Sequence, residues 1–314
     1  MIRIGVDIGG TNIGMGIVSS TEILHKSSES FSKDGGVSGC CDRIFAQAQA
    51  LLQKCGYTLD DVDCVGAAVP GSVNRDRGIV INAYNLGFHD APLREELQKR
   101  FADKIVDVLN DADAAANAEL SGGVLKGMKT AVCITLGTGL GFGLIIDGKL
   151  FCGGMGHGTE GGHMIMKHNG YKCTCGDRGC AETLCSATAL MIKTRRAVKG
   201  RTDSILWQNR RSLNAKVVFE CAGRGDELAL RIIDEYTDAL SDYVASLMNL
   251  FDPEAVCVGG GISAAGELLF EPLVRKTDEK CFFKDHGQVL RAHFLNDAGI
   301  IGAVSEMKGG IICQ

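Results

Sequence analysis

The chain lacks a basic excess, a long apolar run and the commonest phosphate-binding fingerprints, and each absence excludes a class. Lys plus Arg number 33 against 38 Asp plus Glu, a net charge of −5. A mildly acidic chain argues against general affinity for nucleic acid or anionic membranes. The most apolar long stretch, residues 131–146, carries Thr135, Thr138 and four glycines. It falls short of the ~20 residues that a bilayer-spanning helix needs. No secretory signal is expected, because Asp7 interrupts the first apolar stretch and no hydrophobic region follows a basic start. Neither a GxxxxGKS/T loop nor a GxGxxG turn between strand and helix is present. Proline is down to four residues and no segment is of low complexity. At 45% hydrophobic and 23% charged residues, the composition is that of a folded chain.

Two residue types run high instead: glycine, 42 of 314, and cysteine, 14. Many cysteines without an export signal point to a reducing cytoplasm, where they serve as thiols or metal ligands. The length suggests two domains at roughly 100–200 residues each. Residues 2–8 read as a buried strand entering a glycine turn, and residues 13–18 as its returning partner. Helices are expected over residues 42–54, from Pro92 onward, and over 112–125; strands over 64–69 and 104–109. The pattern then restarts, with Leu136-Gly137-Thr138-Gly139 echoing Ile8-Gly9-Gly10-Thr11. Two copies so far apart indicate duplicated α/β domains rather than a solenoid. Later, Ile233, Tyr236, Leu240, Tyr243, Leu247 and Leu250 define the apolar side of a helix stopped by Asp252-Pro253. A strand over 255–258, another over 288–294 and a last helix over 298–307 complete the pattern.

Glycine turns at strand ends can be plain geometry. Here, however, Asp7-Ile8-Gly9-Gly10-Thr11-Asn12 joins an acid and a hydroxyl to paired glycines, and Gly137-Thr138-Gly139 repeats that chemistry. A third turn, Gly259-Gly260-Gly261, follows a strand. Backbone amides freed by glycine reach phosphate oxygens, threonine adds a donor, and a carboxylate can hold Mg²⁺ through water. The turns suit a nucleotide held between two domains. His163, Cys173, Cys175 and Cys180 fall within eighteen residues, and three thiolates with one imidazole make a closed, structural zinc site. The other eleven cysteines lack metal spacing and read as free thiols.

Together, Asp7 to Thr11, Asn110-Asp111, Leu136 to Gly141, Glu160-Gly161-Gly162-His163 and the run Cys173-Thr174-Cys175 through Cys180 to Glu182 resemble the ROK family of repressors, open reading frames and kinases. The likeness covers essentially the whole chain in order, and the Glu-x-x-His followed by the cysteine knuckle is its most specific part. It implies an α/β fold: two related actin/hexokinase-like (ribonuclease H-like) domains around an ATP and sugar cleft. The expected domains are residues 1–115, with the C-terminal helix 297–314 packed on them, and 116–296, carrying the knuckle 163–180.

The resemblance implies ATP-dependent phosphorylation of an aldohexose at the 6-hydroxyl, of the glucokinase or D-allose kinase type. Asp111 is the implied general base, with Asn110, Glu160, His163 and Glu182 on the sugar. Asp7, Gly9, Gly10, Thr11, Thr138 and Gly139 are implied at the ATP phosphates and Mg²⁺, and Gly259, Gly260 and Gly261 at the adenosine. His163, Cys173, Cys175 and Cys180 are the implied ligands of a structural Zn²⁺. Simpler readings stand beside these: Asp111 as a helix cap, Glu182 as a first-turn helix acid, Glu160 as a solvated loop charge. Departures from the family pattern are Thr159 for a usual Gly, Gly161 for an aliphatic residue, and Met155 and Asp113 each for Asn. Residues 182–186 and 249–253 lean toward the allose-kinase branch. Alternatives are an N-acetylhexosamine kinase, a sugar-responsive ROK regulator or binding protein without kinase activity, and an actin-like ATPase with an iron–sulfur cluster. Regulators carry an N-terminal helix-turn-helix, for which the hairpin at Asp7 leaves no room. Expected partners are a hexose and further copies of the chain, as dimer or tetramer, with no nucleic acid and no membrane, in the cytoplasm.

Overall fold

The apolar, β-branched runs of the first hundred residues become strands Ile2–Ile8 (β1), Asn12–Ser19 (β2), Glu22–Ser30 (β3), Val62–Val69 (β4), Ser72–Asn74 (β5), Ile79–Ala83 (β6), Phe88–Ala91 (β7) and Ile105–Asn110 (β8). Helices Gly36–Cys55 (α1), Leu93–Arg100 (α2) and Asp111–Gly122 (α3) lie among and after them. The structure, a computed structural model, describes residues 2–305. Strands β3-β2-β1-β4-β8 form one sheet, and β5-β6-β7 a small separate one. Strand β1 is antiparallel to β2 but parallel to β4, which is parallel to β8. The C-terminal ends of β1, β4 and β8 therefore share one edge, with Asp7 paired to Ala68 and Ala68 to Leu109. With two strand spacings between them, Asp7 and Asn110 sit about 10 Å apart along that edge.

The remaining elements are strands Ala131–Leu136 (β9), Leu140–Ile146 (β10), Lys149–Leu150 (β11), Ala255–Gly259 (β12) and Gln288–Arg291 (β13). Between and after them come helices Glu182–Cys185 (α4), Ala187–Ala197 (α5), Ile205–Gln208 (α6), Ala215–Gly223 (α7), Glu227–Phe251 (α8), Glu267–Lys280 (α9) and Ala298–Ser305 (α10). The second sheet has the order β11-β10-β9-β12-β13 and repeats the first position by position. Strand β12 is parallel to β9 and to β13, as β4 is to β1 and β8. The duplicated turn in the sequence is thus a duplicated five-stranded sheet. Two compact units result: the chain up to Gly127 with Gly143–Thr159 and the segment from Asn296, and Met128–Phe142 with Glu160–Leu295.

In the first unit one face of the sheet buries Ile4, Val6, Met15 and Ile17 with Ile44 and Leu52 of α1 and Leu93 and Leu97 of α2. Helix α10 covers β1, β2 and β4 together with α3. It approaches closely enough that a Cβ on Gly5 would fall on the Ile300 carbonyl, one on Gly66 on that of Ala303, and one on Gly302 on that of Ala114. The alanine-rich sequence of α3 has the same cause: Ala112, Ala114, Ala116 and Ala118 are buried where longer side chains have no space. Of the last helix, expected over 298–307, the described residues show Ala298–Ser305. The rest of the expected C-terminal helix, residues 306–314, lies outside the described residues, as does Cys313.

Helix α8 in the second unit buries Ile233, Tyr236, Leu240, Tyr243 and Leu247 as its spacing predicts. Leu250 does not follow them: it is 66% exposed. Asp252, left-handed at φ 44°, ends the helix one residue before Pro253. No described cysteine is in a disulfide, and Cys40, Cys41, Cys64, Cys133, Cys185 and Cys257 are buried. No helix among the described residues is long and apolar enough to cross a membrane.

Candidate active site

On the first unit, the turn after β1 is closed by the Gly9 amide donating to the Asn12 carbonyl at 2.8 Å. That leaves Gly10 and Thr11 exposed. The Asp7 carboxylate lies under the start of α10, where a Cβ on Gly299 would come within 2.8 Å of its Cγ. Burial raises its pKa above the ordinary carboxylate value. At the end of β8, the Asn110 side chain caps α3, accepting from the Ala112 and Asp113 amides at 2.7 and 3.2 Å. Its Nδ2 donates to the Gly71 carbonyl at 2.7 Å. Asp111 is the first residue of the helix, exposed, and one of its oxygens accepts from the Ala112 amide at 2.9 Å. The cap is therefore Asn110. With both Oδ1 lone pairs in use, Asn110 retains one N–H for a ligand oxygen.

Four residues before Asp111, Asp107 is 5% exposed and held by two arginines. Arg75, between β5 and β6, meets it at 2.9 Å, and Arg94 of α2 at 2.7 Å. Arg94 also donates to the Asp76 and Arg75 carbonyls. This buried cluster fixes the small sheet to the strand that ends in Asn110.

On the second unit, two of the three glycine turns meet. Gly260, at φ 80°, packs so tightly on the end of β9 that a Cβ would lie 2.5 Å from the Leu136 nitrogen. Both the left-handed backbone and the close approach require glycine. The Gly137–Gly139 turn is gripped from the other side by the start of α5. The Ala187 amide donates to the Gly137 carbonyl at 2.9 Å, and the Thr188 hydroxyl to the Thr138 carbonyl at 2.7 Å. Ser186 caps α5 by accepting from the Ala189 amide. These contacts were not expected from sequence; the serine cap was the only local signal of a helix start there.

The knuckle lies in the same unit. The donor atoms of His163, Cys173, Cys175 and Cys180 lie within 4.8 Å of one another. His163 Nδ1 is 3.6 Å from Cys173 Sγ, and Cys175 Sγ is 3.6 Å from Cys180 Sγ. Burial pushes the Cys173 and Cys180 thiols up. Three sulfurs and one imidazole in this arrangement fit a tetrahedral zinc ion and could supply four ligands. Glu160 precedes the short turn Gly161–His163 and accepts the His163 amide at its carbonyl, 3.0 Å away. Its residue surface is exposed, yet the protein crowding the carboxyl raises its pKa, with His163 opposing and Glu182 adding to the rise. Gly161 departs from the usual aliphatic residue because the Phe142 ring fills the space such a side chain would take. Glu182, the first residue of α4, reaches both the knuckle and the turn. One oxygen accepts from the Thr174 hydroxyl at 3.1 Å, and the other from the Leu140 amide at 3.2 Å.

Residues 3–309 match the ROK family. The chain belongs to the ROK family. The glucokinase of Thermotoga maritima is 38% identical over 312 residues, covering 97% of this chain and 96% of that one. A ROK family glucokinase from Streptomyces griseus, solved in complex with glucose and AMPPNP, superposes with a TM-score of 0.84 at 33% identity, over 96% of this chain and 98% of that one. An N-acetylmannosamine kinase of Haemophilus influenzae is 29% identical over 97% of this chain and 95% of its own length. The mixed α/β architecture is the actin/hexokinase-like fold of the ROK sugar kinases.

Proposed function

We propose that this ROK protein is an ATP-dependent hexose kinase that phosphorylates an aldohexose at its 6-hydroxyl, with Asp111 as the general base. That it is a sugar kinase rests on its family and on glucokinase relatives matched over nearly their whole length. The observation that carries the assignment of the base is the division of labour at the start of α3. Asn110 takes the Ala112 and Asp113 amides as the cap, and the Asp111 carboxylate stands exposed at the first position of the helix, beside it.

A primary hydroxyl attacking a γ-phosphorus in line must lose its proton as the new O–P bond forms. An ionised Asp111 accepts that proton, and the single free N–H of Asn110 orients a neighbouring sugar oxygen. Glu160, His163 and Glu182 offer acceptors and a donor to the remaining hydroxyls. The exposed Gly10 and Thr11, and Thr138 with Gly139, offer amides and hydroxyls to the phosphates; Gly259 to Gly261 border the adenosine. Asp7 is the residue that would hold Mg²⁺, which offsets the phosphate charge when bound. His163, Cys173, Cys175 and Cys180 would hold a zinc ion whose part is to keep the loop bearing Glu160, His163 and Glu182 in shape.

Glucose is the first candidate substrate, since glucokinases stand among the relatives. An N-acetylated hexosamine is the second reading, favoured by the N-acetylmannosamine kinase relative. Allose differs from glucose only at C3, where one hydroxyl contact decides. A coupled ADP-release assay over glucose, mannose, allose and their N-acetylated counterparts tests the proposal. Turnover on at least one aldohexose, with the product phosphorylated at O6, is expected; no ADP release above the sugar-free rate on any of them would overturn it.

A further inference from the structure

Glu182 joins two parts of the second unit that have separate tasks in the proposed reaction. Its Oε2 accepts from the Leu140 amide at 3.2 Å, and a Cβ on Gly139 would lie 2.5 Å from that same oxygen. A side chain at position 139 would push this carboxylate from its place. Its Oε1 accepts from the Thr174 hydroxyl at 3.1 Å and lies 3.5 Å from Cys173 Sγ. Thr174 stands between two of the knuckle cysteines, and its side chain is exposed. Beyond Glu182 the chain grips the turn again, through Ala187 and Thr188 on Gly137 and Thr138. Residues 182–188 therefore hydrogen-bond to three of the four positions of the turn, 137, 138 and 140, and Thr174 anchors their first member to the knuckle.

We propose that Thr174 is a positioning residue that transmits the state of the knuckle through Glu182 to the Gly137–Leu140 turn, so that the knuckle governs affinity for the nucleotide phosphates as well as for the sugar. The proposal rests on the kinase reading above. The Thr174 hydroxyl is the oxygen donor that keeps Oε1 in place beside the knuckle, leaving the second oxygen aimed at the Leu140 amide. Without that donor the carboxylate is free to turn from the sulfur, and the turn loses the acceptor that orders its last amide.

The test uses the full-length, zinc-loaded protein with Thr174→Val, which keeps the shape of the side chain and removes the hydroxyl, and Thr174→Ser, which restores the hydroxyl. Three quantities are measured for each: zinc per chain, the dissociation constant of Mg·AMPPNP without sugar, and that of glucose without nucleotide. The valine variant is expected to keep its zinc and to bind Mg·AMPPNP about fivefold or more weakly, the scale of one hydrogen bond to a charged acceptor. The serine variant should return to within about twofold of the parent, too small a gap for a lost hydrogen bond. An unchanged nucleotide affinity in a zinc-loaded valine variant would overturn the proposal. So would loss of zinc from it, because Thr174 would then serve the metal and not the carboxylate. A parent protein that binds no nucleotide would overturn the kinase reading itself, and the relay with it.

Discussion

Asn110 performs the capping task that the sequence alone assigns equally well to Asp111. Adjacent Asn and Asp at a strand-to-helix corner are interchangeable caps on local grounds. Only the geometry, with the Ala112 and Asp113 amides both on Asn110 Oδ1, separates them. Replacing Asp111 by Asn keeps the shape of the first turn and removes the base. We expect kcat to fall by about 100-fold or more, with glucose binding retained in a calorimetric titration. Turnover close to that of the parent would withdraw the role of Asp111. The four metal-capable residues were legible for the opposite reason: a tetrahedral donor set of one His and three Cys in eighteen residues leaves its mark in local spacing. Glu182 was legible as a polar group in the right segment. Its two-sided contact was not, because Leu140 lies 42 residues away in sequence.

Elements with strong periodicity and clear stops were readable at near residue precision; short, polar or interrupted ones were not. Helix α8 shows a regular apolar spacing between Asp226 and Asp252. Strand β5 has three residues, too few for a pattern, and α9 contains Pro272 within its helical run. The small sheet is also tied to β8 by the buried Arg75–Asp107–Arg94 cluster, a link no local rule reports. The α8 cap makes a measurable prediction. Asp226, 6% exposed, is raised by burial, but bonds from Ala229, Ser204, Ile205 and Leu206 outweigh this and hold its pKa below the ordinary value. A carboxylate depressed on folding adds stability at pH above its unfolded value, about 3.9. That contribution disappears as pH falls through the folded value. Asp226→Asn should therefore cost about 2 kcal/mol at pH 7. In urea unfolding followed by circular dichroism, the gap to the parent should hold steady down to pH 5 and close below about 4. A gap that widened on acidification would show that the charge is not what holds the cap.

At the scale of the whole chain, the duplicated glycine turn was enough to anticipate two sheets of one design, since each turn follows a strand and precedes its returning partner. The knuckle belongs to one copy only. Zinc-replete protein is expected to carry one ion per chain by mass spectrometry of metals. Stripping the ion should lower Tm by about 5–10 °C, the scale expected when a ligand specific to the folded state is withdrawn. Metal-free protein with the same Tm and full zinc-independent activity would reject a structural ion. The glycines at 5, 66 and 302 escaped any local reading, because what demands them is the close approach of α10, almost 300 residues after β1, to β1, β4 and α3. Their consequence concerns synthesis. A nascent chain emerges from its amino end, and domains ordinarily fold in that order. Here the sheet made from the first strands stays bare on the α10 side until residues 298–305 have left the ribosome, so the half of the molecule translated first is completed last.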